Sequence, residues 1–137
     1  MKSNFITVQV EIEALIPHVW DCFTQPKHIT EWNFASPDWC CPSAENDLRE
    51  GGKMDWRMEA KDGSFGFDFW GTYTKVENEK CLELTLGENR KMQVIFEEKE
   101  GKTMVMEKFE PESENPIEMQ QGGWQAILNS FKLHAER

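Results

Sequence analysis

The sequence predicts an α+β fold in which a curved antiparallel sheet wraps around a long C-terminal α-helix, with two short helices after the first strand. Three observations carry this. Residues 5 to 13 alternate apolar and polar with the two-residue period of a half-buried strand. The middle of the chain is a run of strand-like segments divided by turn signals, and the last segment changes to the three-and-four spacing of a helix.

Taken in order, Ile6, Val8, Val10 and Ile12 point one way while Thr7, Gln9, Glu11 and Glu13 point the other, giving one core face and one wet face. Pro17 suits the first turn of a short helix that runs to about Thr24, with Val19, Trp20 and Phe23 on one side. Pro26 opens a second, anchored by Ile29 and Trp32. Residues 33 to 47 read as a loop rich in Pro and Ser that also carries Phe34 and Trp39; such a loop must fold over something. The meander follows: "GGKMDWRMEA", a turn at Asp62-Gly63, "FGFDFWGTYTKV", a turn at residues 77 to 79, "KCLELTL", a turn near Gly87, "KMQVIFEE", a turn at Gly101, and "KTMVMEKFE". Met54, Trp56 and Met58 share one face, as do Met92, Val94 and Phe96. Finally Asn115 is placed to cap a helix from Pro116 to about Ala135, with Glu118 three residues on. Its expected buried stripe holds Ile117, Gln120 or Gln121, Trp124, Ile127, Leu128 and Phe131. Gly122 and Gly123 stand inside that helix, where each costs about 1 kcal/mol relative to alanine. They either let the backbone approach the sheet or leave open volume beside Trp124; a plain packing notch or kink is the alternative.

Composition sets the class. A chain of 137 residues is expected to make one domain, residues 1–137, and to bury roughly two-thirds of its unfolded surface. With six Trp and 39% hydrophobic residues it is not a disordered chain, and no run approaches a membrane span. "MKSNFITVQV" shows no apolar signal core, so a cytoplasmic location is expected. A net charge of -10 with scattered Lys and Arg disfavours nucleic acid and anionic membrane as partners. "EPESENP", residues 110 to 116, reads as a solvated acidic loop. Cys22, Cys40, Cys41 and Cys81 form no CxxC pair, which fits reduced thiols, and His18, His28 and His134 lie far apart. No metal site and no cofactor is read from these spacings.

The order of elements and several local strings resemble the START-related (SRPBCC) superfamily, and within it the activator-of-heat-shock-protein-90-ATPase-like, or polyketide-cyclase-like, group. The strings are "IPHVWDCFT", Trp32 closing the second helix, "REGGKMDW", Gly71 in "FWGTYTKVENEKCLEL", "EGKTMVM", and "GGW" in the final helix. The resemblance covers nearly the whole chain. It implies the helix-grip fold and a cavity between helix and concave sheet, its mouth near the second short helix and the loop that follows. The lining expected on that basis is Trp32, Phe34 and Trp39 at the mouth, Met54, Trp56 and Met58 on one strand, Phe67 and Phe69 on another, and Trp124 and Leu128 on the helix. Aromatic and methionine walls with few polar groups suit a small molecule. Asp68 is expected to point to solvent, and Tyr73 and Arg57 to lie at the surface or rim. Glu107 stays open, because "TMVMEKF" is apolar on both phases; pointing inward, it would be desolvated and its pKa raised.

The function expected first is therefore a binding domain for a hydrophobic or amphipathic small molecule. The alternatives are a cyclase- or hydrolase-like enzyme in the same cavity, against which no nucleophile-base set can be read, and a chaperone ATPase co-factor acting through its surface. The resemblance supports the last only loosely, since the additional N-terminal domain of the eukaryotic chaperone activators is not seen in this sequence. A homodimer stays open as a further partner.

Overall fold

Ile6, Val8, Val10 and Ile12 are buried and the residues between them exposed in the computed structural model, which describes residues 5–137. Met1 to Asn4, the start of the segment read as leaderless, lie outside the described residues. That strand, β1 (Ile6–Ile12), leads into helices α1 (Ile16–Thr24) and α2 (Pro26–Trp32). Strands β2 (Trp39–Asn46), β3 (Lys53–Ala60), β4 (Gly66–Glu77), β5 (Cys81–Leu86), β6 (Arg90–Lys99) and β7 (Lys102–Phe109) follow, and helix α3 (Ile117–Ala135) closes the chain. The seven strands form one antiparallel sheet in the order β1-β7-β6-β5-β4-β3-β2, so β1 is inserted beside the last strand and the rest is a meander. The sheet curls into a half-barrel whose concave face holds α3 and the two short helices.

The core lies between these layers. Phe23 and Phe131 meet edge to face at 5.4 Å, and Trp32 sits against Phe131 at 4.8 Å, tying α1, α2 and α3 together. The indole of Trp32 also donates to the Cys22 carbonyl at 2.8 Å, which fixes α2 on α1. Along the other side, α3 runs over the free edge of β1. Gln121, Gln125 and Lys132 donate to the main-chain carbonyls of Thr7 (3.4 Å), Gln9 (3.1 Å) and Glu11 (2.7 Å). Side chains of one helix thereby satisfy alternate acceptors of an edge strand that would otherwise invite another strand.

Four expectations are corrected. The segment 33 to 47 is not loop throughout: β2 pairs with β3 from Trp39 to Asn46, with a register shift between Cys40 and Ser43. Pro42 falls inside that irregularity on an edge strand, where a missing N–H is tolerated, and it erased the alternation that would have revealed the strand. Asn115 does not cap α3. The helix begins one residue later, after Pro116, and the Asn115 side chain instead donates to Glu112 at 2.7 Å. Ile117 is exposed, because the first turn of α3 stands clear of the sheet while Leu128 and Phe131 are buried. Tyr73, expected at the surface or rim, is buried, donating to Asn46 Oδ1 at 2.6 Å, and burial pushes its phenol above the usual range.

The glycine pair is also resolved. A Cβ built on Gly122 or Gly123 meets nothing within 4 Å, so the helix does not press its backbone on the sheet there; open space adjoins it. Gly52 is the opposite case, since a Cβ there would run into the Asp47 carbonyl oxygen.

Candidate functional site

The open space beside Gly123 is an outer chamber of about 300 Å³ between α3 and the rim formed by Ala35, Ser36, Trp39 and Phe67. Behind it an inner chamber of about 220 Å³ reaches under the helix to β3, β4, β6 and β7. The two share Met58, Phe67, Gln120, Trp124 and Ile127 as walls. Among these shared walls Trp124 is held in place: it stacks on Phe109 at 3.7 Å with an interplanar angle of 14° and meets Phe69 edge-on at 5.6 Å.

Of the residues expected to line a cavity, Trp32, Trp56, Met58, Phe67, Phe69, Glu107 and Trp124 line the inner chamber and Trp39 the outer one. Phe34, Met54 and Leu128 line neither. Met54 and Leu128 are fully buried in packed core, and Phe34 is half-buried beyond α2. On α3 the lining position is Ile127 instead of Leu128. Asn33, Arg90, Met92, Glu112 and Gln120 complete the inner wall.

The polar groups of this wall divide into committed and uncommitted ones. Gln120 spends its whole amide on the 112 to 115 loop. Its Nε2 donates to the carbonyls of Glu112 (3.0 Å) and Asn115 (2.8 Å), and its Oε1 accepts from Glu112 N (2.9 Å). Glu112 in turn accepts from the Asn115 and Glu114 amides, which hold its carboxyl below the usual carboxylate range, the Asn115 bonds contributing most. These bonds shape the rim. Asn33 Nδ2 lies 2.9 Å from Met58 Sδ, a weak acceptor.

Three groups remain uncommitted. Trp56 Nε1 and Arg90 Nε are buried with no hydrogen-bond partner among the described residues, although Arg90 Nη1 donates to the Glu110 carbonyl at 3.2 Å. Glu107 settles the question its sequence left open. Along β7 the residues Thr103, Val105, Glu107 and Phe109 are buried in alternation, so its side chain points inward, facing Val8 and Val94 across the neighbouring strands. Its carboxyl has no hydrogen bond or ion pair among the described residues, and burial pushes its pKa up to about 8. At neutral pH it is mainly a neutral acid and a proton donor. Arg57 and Asp68 pair with each other at 3.5 Å on the convex side and take no part.

The model of the family described as Activator of Hsp90 ATPase homolog 1-like protein matches residues 13–136. The chain belongs to this family. Two solved relatives agree over nearly their whole length. The AHSA1-like protein of Aeromonas hydrophila is 40% identical with a TM-score of 0.87, the match covering 95% of this chain and 92% of that one. A protein from Cytophaga hutchinsonii is 47% identical with a TM-score of 0.83, covering 96% and 91%. A protein from Chromobacterium violaceum has the same fold, TM-score 0.87 over 98% and 99%, at only 19% identity. No protein of curated function matches the sequence. Domains of this activator-homologue family are generally ligand-binding or chaperone-associated, and among the described residues of this member no helix is long and apolar enough to cross a membrane.

Proposed function

We propose that this chain binds a small amphipathic molecule in the joined chambers beneath α3. The observation that carries the reading is the pairing of an apolar wall with uncommitted donors: Trp56, whose buried Nε1 has no partner among the described residues, and the neutral acid Glu107 both line the inner chamber. Buried polar groups are normally hydrogen-bonded, and donors left without acceptors in an aromatic pocket suit a ligand that brings its own oxygen. The apolar body of the ligand lies against Met58, Phe69 and Trp124, and its acceptor points toward β3 and β7.

The test is a titration with fluorescent fatty acids and flavonoid-like phenols. Saturable uptake of one probe per chain is expected for at least one class, weakened by Ile127→Trp, which fills the shared wall. No uptake across the panel, or uptake indifferent to Ile127→Trp in a folded variant, overturns the reading.

A second reading draws on one specific feature. A carboxyl that stays protonated near neutrality inside a pocket is tuned as a general acid, which is what a cyclase- or hydrolase-like reaction would use. Glu107→Gln separates the two. Because the glutamine amide still donates a hydrogen bond but gives up no proton, a binding domain keeps its uptake of phenolic probes, whereas an enzyme loses turnover of any substrate found while retaining affinity for it.

A further inference from the structure

The three histidines that the sequence keeps far apart converge at the other end of α3, together with Cys22. One ligating atom from each of Cys22, His28 and His134 lies within 4.8 Å of the other two. They come from the last turn of α1, the first turn of α2 and the last turn of α3. His28 Nδ1 and His134 Nε2 face each other at 2.9 Å, so one ring's N–H donates to the other's lone pair, and a cation that replaces that hydrogen meets a lone pair from each ring.

We propose that Cys22, His28 and His134 form a zinc-type metal site that clips the end of α3 to the two short helices. Thiolate and imidazole are the donors that zinc prefers, and three protein ligands leave the fourth tetrahedral position to water or an exogenous group. A tetrahedral zinc ion sets its nitrogen ligands about 3.3 Å apart and sulfur to nitrogen about 3.6 Å, from its usual bond lengths. The His28–His134 approach of 2.9 Å must therefore open by a few tenths of an ångström, and Cys22 Sγ, within 4.8 Å of both nitrogens, must settle at the shorter sulfur–nitrogen spacing. His134 Nδ1, on the far side of the ring, has no partner among the described residues that this movement would break.

The surroundings favour a cation. The site lies at the C-terminal end of α3, the negative end of the helix dipole, and Asp21 and Glu31 are close to the cluster, offset by Arg137. His18 stands where an outer support belongs. Its Nε2 lies 2.9 Å from the Ala135 carbonyl and 3.5 Å from Cys22 Sγ, so one N–H can reach both oxygen and sulfur. Cys22 is buried, whereas His28 and His134 are half-buried and His18 is exposed, which leaves the ion a path from solvent. None of the four lines either chamber under the helix, so the site stands apart from the proposed ligand pocket.

Binding replaces the thiol hydrogen of Cys22, which leaves to buffer as a proton, while each imidazole offers a lone pair and keeps its remaining hydrogen on its other nitrogen. Tag-free, metal-depleted protein titrated with Zn²⁺ by calorimetry in buffers of different ionisation enthalpy should bind one ion per chain and release about one proton. Co²⁺ should give a thiolate-to-cobalt charge-transfer band. Cys22→Ser should remove the band, and His134→Gln should weaken binding roughly 100-fold, while Cys81→Ser should change nothing. The absence of stoichiometric binding, or a cobalt spectrum without the thiolate band, overturns the proposal. So does a band abolished by Cys81→Ser. Because Cys22 is buried, its variant can fail to fold; the parent chain then decides through alkylation, with Zn²⁺ expected to slow modification of Cys22 and an unchanged rate counting against the site.

Discussion

Gly52 and Gly122 occupy opposite environments, and alanine at each should move stability in opposite directions. At Gly52 a methyl group would run into the Asp47 carbonyl, so Gly52→Ala is expected to destabilise by about 2 kcal/mol or more. At Gly122 nothing stands within 4 Å, so Gly122→Ala should stabilise by roughly 0.5 to 1 kcal/mol through helix propensity and a less flexible unfolded chain. Urea denaturation of the two variants checks both signs. Glu107 gives a third expectation. Its folded pKa of about 8 lies above the ordinary glutamate value, so between about pH 4.5 and 8 the native state holds a proton that the unfolded chain has released. Stability should therefore fall as pH rises through this window, by a few kcal/mol at most, and level off above it. Glu107→Gln should flatten that slope; a slope unchanged in the variant would place the titration elsewhere.

At the scale of elements, the contact that orders the half-barrel is α3 lying along the edge of β1. Gln125→Ala and Lys132→Ala each remove a donor to a β1 carbonyl, at an expected cost of about 1 kcal/mol. The loss should appear as faster amide hydrogen exchange in β1 and not in β4 or β5. The elements differed in how far the sequence disclosed them. β1, β3 and the first half of β6 have one wet and one greasy face, and their alternation is clean. β7 could be seen as a strand but not oriented, because Met104 and Met106 make its outer face apolar as well, and so the side of Glu107 was undetermined until its neighbours were in place. β2 was hidden by Pro42 and an irregular register, features that only pairing with β3 explains. Helix α3 was legible, but its cap was not, since Asn115 found a nearer partner in Glu112.

For the whole molecule, the sheet gripping a helix was readable because periodicity and amphipathicity survive without tertiary knowledge. The polar part of the pocket was not. Asn33, Arg90 and Gln120 stand at or near the ends of α2, β6 and α3, and only the curl of the sheet brings such ends to one rim. The same holds for His18, His28 and His134, whose spacing carries no metal signature. The pocket's acidity gives a prediction at this scale: an anionic probe should bind more weakly as pH rises past about 8, where Glu107 becomes charged, while a neutral phenol should be affected less. Binding titrations across pH 6 to 10 separate the two.

The most direct measurement is the indole N–H resonance of Trp56 in a ¹⁵N-labelled chain, assigned with Trp56→Phe and followed while an amphipathic phenol is added. A hydrogen bond formed inside the inner chamber should move that signal markedly and saturably, with Trp124 shifting in step and Trp70, on the exposed face, staying still. Binding that leaves Trp56 unmoved while Trp70 shifts would contradict an interior site.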